Sequence, residues 1–166
     1  MQMKNQTKKW ITAAAVIVAA VSLIIGAAVY KHQESAPNLV MKNRQTGEIY
    51  LQEPLGKEGT FSVSYTHSVN KSEVEEYYCW QNGSLTLYKA RYNNFGAGVA
   101  TELNEGEVLY YDDEGFMVID HMHIPVQQMS YRIGTISDHV LHIGEQNWHL
   151  KTLAPELTSV VFEVHP

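Results

Sequence analysis

Residues 74–92 read VEEYYCWQNGSLTLYKARY, and the fold is decided there. Val74 to Gln81 and Ser84 to Tyr92 are two runs rich in aromatic and β-branched residues, separated by Asn82-Gly83. Both turn residues tolerate positive φ, which a type I′ turn demands, so the stretch predicts a β-hairpin. The same alternation recurs on either side. Phe61, Val63 and Tyr65 alternate with Ser62, Ser64 and Thr66, and Leu39–Asn43 and Glu48–Leu51 flank a turn at Gln45-Thr46-Gly47. Further strands are expected at Phe116–His123, ending before Pro125, and at Met129–Ile136, His139–Ile143, Trp148–Thr152 and Ser159–Val164. Helical periodicity is almost absent, with one helical turn compatible with Thr101–Glu107. Short strands punctuated by Gly, Asn and Pro at this spacing predict an all-β sandwich or partly open barrel of about 8–10 antiparallel strands.

Ahead of this domain lies a different kind of sequence. Trp10 to Tyr30 is a run of 21 residues without a charge, bounded by two aromatic residues. A helix crossing a bilayer core needs roughly 20 apolar residues, and Trp and Tyr favour the interfaces. Lys4, Lys8 and Lys9 precede the run with no acid among them, which places the N-terminus in the cytoplasm. The expected organisation is a basic tail (1–9), a transmembrane anchor (10–30), a polar stalk (31–38) and an extracytoplasmic β-domain (39–166). A cleavable signal peptide, cut for instance after Ala28, is the alternative. The apolar run exceeds the usual signal core of about 7–15 residues, which favours the anchor.

The chain of 166 residues carries a net charge of −6. Three of its 12 basic residues precede the apolar run, so residues 31–166 hold nine basic and 18 acidic groups, a net −9. Such a balance disfavours nucleic-acid binding. The single cysteine, Cys79, excludes an internal disulfide and a multi-cysteine zinc framework, and it reads as a buried small hydrophobe.

Several residues could carry chemistry. His121 and His123, two apart on one expected strand, would share a face; with His139, His142 or His149 from another strand they could hold zinc or copper. Against that stands a set of ordinary surface histidines, all eight of the chain lying within residues 31–166. Ser64 or Ser68, with His67 or His139 and Asp138, could in principle form a Ser-His-Asp triad. No G-x-S-x-G elbow is present to expose the serine. Glu75 and Glu76 are adjacent on a strand, so they point to opposite faces and form no acid/base pair by themselves. Phe95-Gly96-Ala97-Gly98 reads as a tight connection between strands, with an anion-binding nest as the alternative.

Taken together, Phe61-x-Val63-x-Tyr65-Thr66-His67-Ser68-Val69, Val74-Glu75-Glu76-Tyr77, Phe95-Gly96-Ala97-Gly98 and Arg132-Ile133-Gly134 with Asp138-His139 resemble an uncharacterised bacterial family, a domain of unknown function often encoded beside TRAP transporters of the TAXI type. The resemblance covers roughly Leu39 to Val164. It implies a small membrane-anchored or exported β-domain associated with solute uptake, carboxylates among the solutes, and no established catalysis or cofactor. Its partners would be the transporter's membrane subunit or its solute-binding protein. Asn70 stands where an acid is expected after His-Ser-Val, and His121 and His123 fall outside the shared motifs.

Read by themselves, His67, Ser68 and Asn70 end a strand, where side chains can present donors at a sandwich rim. Arg132 and Arg91 are the two arginines after Tyr50. Arg132 could clamp a carboxylate or pair with Glu75 or Glu76. The candidate ligand- or partner-binding residues are therefore His67, Ser68, Glu75, Glu76, Phe95, Gly96, Gly98, Arg132, Asp138 and His139. The functional expectation is a non-enzymatic accessory protein in the cell membrane, associated with a TRAP-type uptake system. A stand-alone small-ligand or metal-binding domain is the alternative.

Overall fold

Asn82 and Gly83 both take positive φ, 52° and 77°, and the hairpin they close is the centre of a large sheet. The computed structural model describes residues 36–67, 71–93 and 102–165. The expected tail and anchor, Ser68, and the Phe95–Gly98 motif lie outside the described residues. Among the described residues no helix is long and apolar enough to cross a membrane.

Twelve strands are present among these residues: β1 (Asn38–Asn43), β2 (Ile49–Pro54), β3 (Thr60–Thr66), β4 (Glu73–Gln81), β5 (Ser84–Tyr92), β6 (Val108–Tyr111), β7 (Met117–Asp120), β8 (Ile124–Pro125), β9 (Met129–Arg132), β10 (His139–Ile143), β11 (Gln146–His149) and β12 (Ser159–His165). They form two antiparallel sheets. The small sheet runs β2-β1-β12-β9; the large one runs β11-β10-β3-β4-β5-β7-β6, with β8 added beside β5. The fold is a β-sandwich. Its core draws Leu39 and Met41 from β1, Val160 and Phe162 from β12 and Met129 from β9. Against them stand Phe61 and Val63 of β3, Tyr78 of β4 and Leu141 and Ile143 of β10. The alternation of these residues with polar ones is the expected inward face of a sheet.

Three differences from the sequence reading have local causes. The strand expected over Phe116–His123 stops at Asp120, because His121 takes φ +60° and its N–H is held by Asp120 Oδ1 at 2.7 Å. His121 and His123 therefore do not share a continuous strand face. The strand expected over Trp148–Thr152 stops at His149, and Leu150–Leu153 forms a single helical turn, α1. Asp138 Oδ1 accepts the Lys151 N–H at 3.2 Å, the Thr152 hydroxyl donates to the His149 carbonyl at 2.7 Å, and Leu150 is fully buried. Strands β6 and β8 exceed the ten that alternation suggests. Val108–Tyr111 is a continuous apolar run, and Ile124–Pro125 is only two residues long, so neither shows period two.

Candidate functional site

Strand β3 ends, β4 begins and β10 begins at one end of the sandwich, where Tyr65 is in register with both Val74 and His139. Glu76, paired with the fully buried Val63, points into the interior from this end. An ionised carboxylate there needs compensating hydrogen bonds. Tyrosines supply them from both sheets. The Tyr78 hydroxyl donates to Oε2 at 2.8 Å, Tyr131 of β9 donates to the same oxygen at 3.3 Å, and Tyr65 donates to Oε1 at 3.4 Å. Tyr78 and Tyr131 also meet each other, at 3.3 Å. Burial chiefly, reinforced by the charge of Glu76, pushes all three phenols above their ordinary range, so they remain donors. Oε2 is thus engaged twice, whereas Oε1 holds one long bond and keeps acceptor capacity.

His139 completes the cluster. Its ring packs on Tyr65 with centroids 5.2 Å apart and on Tyr131 at 4.7 Å. Burial lowers its pKa, with Asp138 partly opposing, which favours the neutral imidazole. Neither ring nitrogen makes a hydrogen bond among the described residues. The site therefore offers a carboxylate oxygen, an imidazole and aromatic faces in one place. That combination suits recognition through hydrogen bonds and ring contacts.

The other expected residues are distributed differently. Glu75 lies on the opposite face, as adjacent strand positions require, and accepts from Ser62 Oγ at 2.6 Å and the Tyr77 hydroxyl at 2.7 Å. Arg132 is exposed and makes no ion pair among the described residues, so it neither pairs with Glu75 nor with Glu76. Arg91 is the arginine in register with Glu75. It binds Asp112 and Glu114, both at 2.6 Å, and lies over the Phe116 ring at 3.6 Å. Asp138 ties β10 to α1 through His149 Nδ1 at 2.8 Å and the Lys151 N–H. His67 brackets the β3–β4 turn: its N–H donates to the Ser72 carbonyl at 2.8 Å, and its own carbonyl accepts from Lys71 at 3.0 Å. Cys79 is half-buried on the outer face of the large sheet rather than in the core.

The histidines do not converge. Among the described residues no group of three His, Cys, Asp or Glu side chains is arranged to hold a metal ion. Ser64 meets neither His67 nor Asp138; its Oγ lies 2.8 Å from His142 Nε2, and His142 Nδ1 lies 2.7 Å from Asn147 Oδ1. A nucleophile, base and orienter are thus in line. However, Ser64 sits mid-strand, between β4 and β10, where neighbouring backbone N–H groups are committed to ladders. Glu75, its register partner, would oppose a developing oxyanion. The tyrosines were the residues that sequence reading missed. Their signal is period two: Glu76 and Tyr78 alternate inward on β4, and Tyr65 does so on β3.

The span from β3 to the first residue of α1 carries the whole of this cluster. A family described as a domain of unknown function (DUF1850) matches residues 61–150, more than half of the chain. The chain belongs to that family. The matched span is narrower than the Leu39–Val164 expected from motifs, and includes Tyr65, Glu76, Tyr78, Tyr131 and His139. No curated protein and no solved structure matches the chain.

Proposed function

We propose that this DUF1850 protein is a membrane-anchored, extracytoplasmic, non-catalytic binding module that serves a TRAP-type (TAXI) solute uptake system. The anchor rests on the 21-residue uncharged run behind three lysines, and the transporter association on the motif resemblance. The observation that carries the binding role is the cluster at the sandwich end. Glu76 is held by three protonated phenols, with one oxygen and the His139 nitrogens left to meet a partner. Nothing in that arrangement positions a nucleophile, and phenols raised by burial are poor bases. The cluster instead resembles a recognition surface, in which aromatic groups fix shape and a few polar atoms fix orientation. The solute-binding protein or the membrane subunit is the partner this reading names.

Crosslinking in native membranes followed by purification of the chain tests it. A transporter component should co-purify with the wild type and be depleted with Glu76→Gln or His139→Phe, each checked for an unchanged fold. Absence of any transporter component in repeated experiments overturns the reading, as does capture that both substitutions leave unchanged.

A further inference from the structure

The outer face of the large sheet carries a concavity, on the side away from Glu76. It has a volume of about 420 Å³ and is lined by Thr60, Cys79, Gln81, Thr86, Tyr88 and His123. Register explains its base. Thr60 of β3 pairs with Cys79 of β4, which pairs with Thr86 of β5, so three small side chains stand abreast. Beside them the β4–β5 ladder shifts register between Tyr77 and Tyr78, and such irregularities increase local twist. On the far side, β8 pairs with β5 at Thr86 and Leu87, and the turn at His121 brings His123 to the cleft.

Two properties of the lining narrow the ligand. First, among the described residues it contains no Asp, Glu, Lys or Arg, although the domain is strongly acidic. Lys89 Nζ lies over the Tyr77 ring at 3.9 Å and 6.0 Å from the centroid of the Tyr88 ring. Burial raises the Tyr88 pKa, and the charges of Asp120, Glu58 and Glu75 reach its hydroxyl from outside the lining and raise it further. No Asp, Glu, Lys or Arg of the lining itself, however, is placed to pair with an ionic ligand. Second, the hydroxyls of Thr60, Thr86 and Tyr88 and the His123 imidazole make no hydrogen bond among the described residues and are open to solvent. A cleft of this size falls in the range of about 300–1,000 Å³ usual for small-molecule sites. Hydroxyls and an imidazole beside one aromatic ring match the alternating hydroxyl and C–H surfaces of a sugar.

We propose that this cleft binds a neutral polyhydroxylated ligand, a monosaccharide or sugar-like polyol, through Thr60, Thr86, Tyr88 and His123. The site is separate from the sandwich-end cluster and does not depend on it.

Cys79, the single cysteine of the chain, is a reporter inside the cleft. The full chain, in a detergent without a sugar headgroup, would be alkylated with iodoacetamide in the presence of glucose or N-acetylglucosamine. Sodium citrate and choline chloride serve as charged controls. One of the two sugars should slow Cys79 alkylation about tenfold at about ten times its half-saturating concentration. Citrate and choline should leave the rate unchanged. Thr60→Val combined with Thr86→Val should abolish the protection, and Thr60→Ser combined with Thr86→Ser should retain it. No slowing by either sugar up to about 100 mM, well past a millimolar Kd, overturns the proposal. Equal protection by citrate or choline, or protection that survives in the double valine variant, overturns it as well.

Discussion

Glu76 shows how one interior acid depends on its donors. The Tyr78 hydroxyl reaches Oε2 at 2.8 Å from a residue that is 5% exposed, whereas Tyr131 reaches it at 3.3 Å. A short bond from a buried donor to a charged acceptor is worth more than a long one. Tyr78→Phe should therefore cost about 1.5–3 kcal/mol and Tyr131→Phe about 0.5–1.5 kcal/mol, measured by urea unfolding; the reverse order would show that Tyr131 is the principal donor. His139 adds a pH dependence with a definite sign. Burial lowers its folded pKa, so the unfolded chain binds the proton more readily. Stability from this group is complete above the ordinary histidine value of about 6.5 and declines as pH falls below it. Replacing His139 with Phe should flatten the stability profile between about pH 7 and pH 5. An unchanged slope would assign that pH dependence to another group.

At the scale of elements, the β4–β5 hairpin was readable from sequence because Asn82-Gly83 leaves the chain few alternatives to a tight turn. Strand β5 spans Ser84–Tyr92 and β10 spans His139–Ile143, as alternation predicts. Reading failed where a single side chain overrides periodicity, as Asp120 does at His121 and Asp138 at Lys151. That Glu75 and Glu76 point to opposite faces followed from alternation, but which of them is inward, and the arrival of Tyr131, did not. It comes from β9 of the other sheet, 55 residues away, and no local pattern encodes that pairing. Arg132 misled for the same reason, since its neighbour Tyr131 takes the inward position. The turn before β3 makes a demand that can be tested. Gly59 has φ +63°, and a Cβ there would lie 2.7 Å from the Trp80 carbonyl oxygen. The same backbone also accepts the Trp80 N–H at 2.8 Å. Gly144 has φ +58° but open space around it. Gly144→Ala should cost about 1–2 kcal/mol from its backbone conformation alone, and Gly59→Ala distinctly more, in parallel thermal melts. Equal costs would mean that the β3–β4 region yields to the added methyl.

Across the whole molecule, the two sheets are unequal, and the difference divides the core. The main cluster joins β1, β9 and β12 to β3, β4 and β10 and includes Leu141, which is fully buried. Beyond it, Ala90, Ile119 and Met122 form a separate small cluster, flanked by Leu87, Tyr92 and Leu109. Strand β6 ends the large sheet and exposes Val108, Tyr110 and Tyr111. Few buried apolar contacts and an edge position are the marks of a segment that opens locally before global unfolding. The β6–β7 ladder should therefore exchange its amide hydrogens ahead of β3 and β12. Two substitutions separate the clusters. Leu141→Ala should cost about 2–5 kcal/mol and accelerate exchange in both sheets. Met122→Ala should accelerate exchange in β6 and β7 while leaving β3 and β12 unchanged. If Met122→Ala accelerated β3 and β12 to the same extent, the two clusters would be one cooperative unit, and the sandwich would open only as a whole.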